Sequence, residues 1–188
     1  LRGMQTYNGF VGWALAHHAL IWWAKAHPTM KTTMPRQIQL AIQNESLHSP
    51  IPRRSLLNKW VKAALAKHIA HAEITLRFVD SEEGQTLNRD YRQKDYATNV
   101  LTFTFDEEQP ALGMPLMGDL VFCGAVIERE AQQQGKALLA HYCHMVVHGT
   151  LHLQGFDHID EAEAEAMELL ETQIVTQLGY DDPYHAER

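Results

Sequence analysis

The pattern of polar and apolar positions along the chain predicts four β-strands. Polar and apolar residues alternate over 37–43 (QIQLAIQ) and 73–79 (EITLRFV), as they do in half-buried strands. Residues 101–105 (LTFTF) are rich in β-branched and aromatic side chains, which favour strands. The short apolar stretch 118–123 (GDLVFC) predicts a strand at the centre of the sheet.

Apolar positions recur at intervals of three and four residues in several other segments, and this spacing predicts helices. Pro52 suits the first turn of one helix, and Ser81 and Asp160 can cap two others. The predicted helices cover residues 52–69, 81–91, 125–134, 137–153 and 161–178. The acidic residues of the last helix, at 161, 163, 165, 168 and 171, are expected mostly to face solvent.

Composition and charge indicate one globular domain in a reducing compartment. The chain has 188 residues, of which 45% are hydrophobic, and only two cysteines, so a disulfide framework is excluded and a cytoplasmic location is expected. The net charge of −7 is concentrated at the C-terminus, where residues 157–188 carry ten acidic residues and one basic residue. Residues 51–100 instead carry nine basic and six acidic residues, which permits a local basic surface for a polyanion.

The first 33 residues differ from the rest of the chain. They hold three of the four tryptophans and an apolar run, Phe10 to Ala24, which is shorter than the roughly 20 residues that a membrane-spanning helix needs. The run also lacks the basic start and the cleavage site of a signal peptide. We therefore expect residues 1–33 to be an extension outside the fold, translated from an upstream start, and residues 185–188 to be a short tail after the domain.

Three histidines in the segment 148–158 (HGTLHLQGFDH) have the spacing of a metal site. His148 and His152 lie four residues apart and therefore share one face of a helix. Gly155 can adopt the left-handed conformation that ends a helix, which would turn the chain back and bring His158 to the same point. Three imidazoles with an open fourth position predict a catalytic zinc site that holds one ion.

Other readings of this segment remain open from the residues alone. The histidines can lie on a solvated helix face, or Asp157 or a cysteine can close a structural metal site as fourth ligand. The spacing is also that of metzincin peptidases, but Gly149 stands where those enzymes have the glutamate that acts as general base, so peptide hydrolysis is the second choice. His141 and His144, on the same predicted helix, are expected to be exposed or to support the ligands.

Arg92 is the candidate catalytic residue. It lies in the polar stretch 91–100, predicted as a loop, and its guanidinium can hold a phosphate through two parallel hydrogen bonds. The alternative is a surface arginine that pairs with Asp90 or Asp95.

Four segments together resemble the YbeY family of bacterial endoribonucleases. They are 87–101 (LNRDYRQKDYATNVL), 118–120 (GDL), 148–158 and 178–184 (LGYDDPY), and the similarity spans roughly residues 34–184. The chain departs from the family pattern at Gln93, which replaces a glycine, at Tyr96 and Ala97, which replace Lys-Pro, and at Thr102 and Thr104, which replace Ser and Pro.

The resemblance implies both a fold and an activity. It implies a compact α+β domain over residues 34–184 with a four-stranded mixed sheet, a zinc ion held by His148, His152 and His158, and Arg92 in the cleft. It further implies a single-strand-specific endoribonuclease that processes ribosomal RNA, notably the 3′ end of small-subunit RNA, and that acts in ribosome quality control. The expected partners are therefore single-stranded RNA and the ribosome, with no membrane. A zinc-stabilised assembly factor without catalysis is the third possibility.

Overall fold

The computed structural model describes residues 36–47, 50–105, 114–158 and 160–185. They belong to one compact unit, 36–188, and the extension predicted for residues 1–33 lies outside the described residues. In chain order the elements are β1 (Gln37–Asn44), α1 (Arg54–Ala64), β2 (His71–Val79), α2 (Ser81–Arg92), β3 (Val100–Thr104), β4 (Leu116–Cys123), α3 (Gly124–Gln133), α4 (Leu138–Leu153) and α5 (Glu161–Gln177).

The four predicted strands form one mixed sheet, which confirms the expected α+β class. The strand order is β1-β2-β4-β3, with β1, β2 and β4 parallel and β3 antiparallel to β4. Strand β4 lies between β2 and β3, which confirms the central position predicted from its apolar sequence. Central strands are often covered on both faces and then have few polar residues.

Each predicted helix is present, with differences at the ends. Helix α1 begins at Arg54, after Pro52, and ends at Ala64, where Leu65 turns to an extended conformation. Asp80, and not Ser81, precedes the first helical residue of α2. The predicted cap of the last helix is confirmed, since the Asp160 side chain accepts a hydrogen bond from the Glu163 backbone N–H.

Helix α4 is the centre of the fold. It packs against α1, α3, α5 and the strands β3 and β4. Most of its side chains are buried, including Val146, Val147 and Leu151 at 1% exposure or less. Because this helix is enclosed by the rest of the domain, polar groups along it must find partners inside the protein. Two of the three candidate metal ligands, His148 and His152, are therefore carried by a largely buried helix.

Gly118 of β4 has no space for a side chain. A Cβ atom at this position would lie 2.4 Å from Leu153 Cδ2 and 2.6 Å from the Phe103 carbonyl oxygen. We expect Gly118→Ala to lower the free energy of unfolding by about 1–3 kcal/mol, the usual cost of overpacking, because the backbone of β3 cannot move aside cheaply. Denaturant unfolding measures this change.

Gly84→Ala is the matched control. Its Cβ would lie 3.3 Å from the nearest atom, Cys123 Cβ, and alanine has the better helix propensity in α2. We expect a much smaller effect there. Equal unfolding midpoints for Gly118→Ala and the wild type would contradict the packing described here.

Both cysteines are free and buried. Burial raises the pKa of the Cys143 thiol to about 12, so this side chain is inert packing, as predicted. Within the described ranges, every helix is too short or too polar to cross a membrane.

Candidate metal centre

The structure brings the three predicted histidines together. One ring nitrogen from each of His148, His152 and His158 lies within 4.8 Å of the others. The two Nε2 atoms of His148 and His152 are 3.1 Å apart, close to the separation of about 3.3 Å expected for two nitrogens bound to one tetrahedral zinc ion. Ring centroids of His158 lie 5.7 Å from His148 and 5.0 Å from His152. The donor set and its spacing therefore fit a metal ion held by three imidazoles.

The turn after α4 explains how His158 reaches this point. Gly155 has φ +84°, the left-handed conformation predicted for it. The Gly155 N–H donates to the His152 carbonyl at 3.0 Å, and the Phe156 N–H donates to the Leu151 carbonyl at 3.3 Å. This pair of hydrogen bonds is the Schellman motif, which ends a helix and reverses the chain direction. The chain then returns along α4 with His158 beside His148 and His152.

Glu171 of α5 is the residue that the sequence reasoning missed. The acidic sequence around it predicts a solvated side chain, but Glu171 is 0% exposed, and its Oε1 accepts a hydrogen bond from His148 Nδ1 at 2.7 Å. Glu161, Glu163, Glu165 and Glu168 are exposed as predicted. The available signal was helical spacing: position 171 lies four residues after Met167 and three before Ile174, both buried, and so shares their face.

The electrostatics of the site suit metal binding. Burial, together with His148 and His158, lowers the pKa of His152 to about 4, so its ring is neutral at pH 7 and keeps a free lone pair. Burial on its own raises the pKa of Glu171, but hydrogen bonds from His144 and His148 outweigh it and lower that pKa to about 2. The site therefore presents a neutral His152 imidazole and, behind His148, an ionised carboxylate.

Gly149 faces the sheet and not the histidines. A Cβ at this position would lie 2.9 Å from Leu120 Cδ2 and 3.4 Å from Val100 Cγ2. The position that carries the general base of a metzincin peptidase is thus occupied by packing between α4 and the sheet, and this observation disfavours the peptidase alternative.

The other candidate residues near the histidines have structural contacts. His141 is buried and its Nε2 lies 2.9 Å from Glu130, so it is neither exposed nor in contact with the three histidines. His144 is also buried, but it reaches His148 through Glu171, which agrees with the predicted supporting role. Asp157 Oδ1 accepts a hydrogen bond from the His158 backbone N–H at 2.8 Å and so shapes the turn. Among the described residues, the metal-ligating group contains histidines alone.

Arg92 is the last residue of α2 and is exposed, so it lies at a helix end and not in the predicted loop. Its alternative partners are engaged elsewhere: Asp90 pairs with Arg89 at 3.1 Å, and Asp95 accepts a hydrogen bond from Gln85 at 3.0 Å. Within the described part of the chain, the Arg92 guanidinium makes no hydrogen bond or ion pair. It is available to an anionic ligand.

Gln93, the departure from the family's glycine, has φ +58°. It therefore keeps the left-handed turn that a glycine would adopt, at a cost of about 1–2 kcal/mol for a side chain with a Cβ.

Comparisons with known proteins identify the family. The Endoribonuclease YbeY family profile matches residues 40–179. A protein of Chromobacterium violaceum named Endoribonuclease YbeY is 52% identical over 164 residues, which cover 87% of this chain and 97% of that protein. A Nitrosomonas europaea protein of the same name is 51% identical over 158 residues, covering 84% of this chain and 92% of the relative.

A solved structure supports the fold. The solution structure of TM1509 from Thermotoga maritima has a TM-score of 0.52 and 21% sequence identity, and the match covers 74% of this chain and 89% of that one. The profile and the relatives extend over most of the domain, including the histidine segment and its turn. The chain belongs to the endoribonuclease YbeY family.

Proposed function

We propose that this chain is a zinc-dependent, single-strand-specific endoribonuclease that processes ribosomal RNA. The activity is supported by the relatives named Endoribonuclease YbeY, at 51–52% identity. The ribosomal substrate, notably the 3′ end of small-subunit RNA, and the role in ribosome quality control rest on the family resemblance. The catalytic domain comprises residues 34–184, and residues 185–188 form a tail.

The observation that carries the proposal is the convergence of three imidazoles at the end of α4. His148, His152 and His158 are the proposed ligands of one zinc ion, since three nitrogen ligands with an open fourth position are typical of catalytic zinc. The bound ion supplies Lewis acidity for a phosphoryl oxygen and for water. His158 is exposed, so an extended RNA strand can reach this side of the site.

Arg92 is the proposed residue that stabilises charge on the phosphate. A guanidinium offers two parallel N–H donors that match two phosphate oxygens, and Arg92 has no competing partner among the described residues. A fixed positive group is most useful where negative charge increases during the reaction. Arg92 therefore serves the reaction, while the three histidines hold the ion.

The proposed partners rest on the family resemblance, and the proposed compartment rests on the two cysteines. The proposed partners are single-stranded ribosomal RNA and the small ribosomal subunit. A cytoplasmic location is supported by Cys123 and Cys143, which are both free thiols, as is usual in a reducing compartment.

Metal removal tests the proposal. We expect the zinc-loaded protein to cut a labelled single-stranded RNA internally and to leave a duplex of the same sequence intact. Dialysis against a chelator should abolish cleavage, and zinc should restore it, because the activity depends on the ion and not on the fold alone.

Two results would overturn this assignment. Cleavage of an unstructured peptide, with no cleavage of RNA, would favour the peptidase alternative. A cooperative loss of circular dichroism on chelation, with no RNA cleavage by the loaded protein, would favour the assembly factor, since structural metals contribute directly to folding.

A further inference from the structure

The carboxylate of Glu171 connects the candidate metal centre to the C-terminal segment of the domain. Its Oε1 lies 2.7 Å from His148 Nδ1, and its Oε2 lies 2.8 Å from His144 Nε2. The Tyr184 hydroxyl donates a short hydrogen bond to the same Oε2. We propose that Glu171 is a positioning residue that sets the orientation and the tautomer of His148, and that His144 and Tyr184 hold Glu171 in place. This inference rests on the proposed function for the identity of the metal ligands.

The geometry explains why His148 needs such a partner. A neutral imidazole carries one proton, and only the nitrogen without it can bind a metal ion. Because Glu171 accepts a hydrogen bond at Nδ1, the proton of His148 stays there and Nε2 keeps its lone pair. That Nε2 is the atom that faces His152 Nε2 at 3.1 Å. A carboxylate partner also makes the imidazole a stronger ligand.

Because Glu171 is buried, its carboxylate needs hydrogen-bond partners of its own. A carboxylate with no exposed surface must have hydrogen bonds on both oxygens, or its desolvation is not compensated. Oε1 is satisfied by His148, while His144 and Tyr184 both approach Oε2. His144 Nδ1 is buried without a hydrogen-bond partner among the described residues, so the ring carries its proton on Nε2, facing Glu171.

Tyr184 is placed through Asp182, which also contacts α5. The Tyr184 backbone N–H donates to Asp182 Oδ1 at 3.0 Å, and Thr172 Oγ1 donates to the same oxygen at 3.1 Å. Thr172 directly follows Glu171 in α5. The C-terminal segment is therefore attached to the helix beside the residue that orients His148, and its tyrosine completes the hydrogen bonding of that residue.

Zinc affinity tests the proposal without any RNA. Glu171→Gln keeps the size of the side chain but offers a single acceptor oxygen, so its amide nitrogen must face either His148 Nδ1 or the two donors, His144 and Tyr184, at the other end. We expect zinc binding, measured by competition with a chelator, to weaken about 10–100-fold, the usual effect of removing a carboxylate behind a histidine ligand. Tyr184→Phe should weaken it in the same direction but less. Glu168→Gln, an exposed position one turn earlier on α5, is the matched control and should bind zinc like the wild type.

Nitrogen-15 NMR of the histidine rings provides a second readout that a merely structural role would not change. In the metal-free wild type we expect His148 as the Nδ1-protonated tautomer, and in Glu171→Gln a larger share of the Nε2-protonated form. Wild-type His148 with its proton on Nε2 would overturn the proposal, even if Glu171→Gln fails to fold. Equal zinc affinities for Glu171→Gln and Glu168→Gln would overturn it as well. Zinc affinity and the His148 tautomer are both measured without RNA. A negative result in the RNA-cleavage assay would therefore overturn the nuclease assignment and leave the role of Glu171 to be decided by these two measurements.

Discussion

Replacing His152 with alanine is expected to abolish RNA cleavage together with stoichiometric zinc binding. His152 provides one of the three converging nitrogens, and its Nε2 lies 3.1 Å from that of His148. Loss of a residue that only orients a ligand costs about 10–100-fold in affinity or activity, and loss of a ligand should cost more. The measurements are the initial rate on a labelled single-stranded RNA and the zinc content after dialysis.

His68→Ala is the matched control for this substitution. His68 is exposed in the connection between α1 and β2, outside the metal-ligating group, and should keep wild-type cleavage and zinc content. Circular dichroism must show that the His152 variant is folded, which we expect because the side chain is only partly buried. If the variant cuts RNA as fast as the wild type, the activity comes from a contaminant and the proposed site is wrong.

Replacing Arg92 with alanine is expected to lower the cleavage rate about 10²–10³-fold, the usual effect of removing one group that stabilises developing negative charge. Zinc content and the unfolding midpoint should not change, since Arg92 is exposed and makes no hydrogen bond or ion pair in the described part of the chain. Arg92→Lys should recover only part of the rate, because an ammonium group cannot make two parallel hydrogen bonds to a phosphate.

Arg89→Ala separates this specific role from general attraction of RNA. Arg89 lies on the same helix, one turn earlier, is exposed and pairs with Asp90. Its loss removes the same charge from the same region and should change cleavage only slightly, through weaker long-range attraction. Equal effects of the two alanine substitutions would show that Arg92 contributes charge to the surface and not a contact with the reacting phosphate.

The sequence predicted the sheet and the five helices of the described residues because each depends on a local pattern. Alternation identified β1 and β2, and the apolar run 118–123 identified β4 as central. The histidine cluster was predictable for the same reason: its three residues, the candidate ligands, and Gly155 between them lie within eleven residues. A helical repeat and one glycine conformation were enough to place all three rings.

Glu171 was not predictable with equal ease, because its role depends on how two helices pack. Its distance along the chain from His148 is 23 residues, and no local pattern reports a contact across that separation. An acidic residue among acidic neighbours is expected to be solvated, although its spacing from Met167 and Ile174 places it on the buried face. The end of α2 lies one residue beyond the predicted end, and the left-handed conformation of Gln93 follows it.

The packing of Gly149 bears on the difference between this chain and the metzincin peptidases, which have a glutamate at this position. Two kinds of metalloenzyme carry histidines at the same interval, and a single codon separates the glycine of one from the glutamate of the other. In this fold that exchange would press the glutamate side chain against Leu120, since a Cβ at position 149 would lie only 2.9 Å from Leu120 Cδ2. Burying an unpaired charge costs several kcal/mol, so such a mutant would lose stability before it gained a proton acceptor. A glutamate at position 149 would therefore require α4 to move away from the sheet before its carboxylate could reach the histidines.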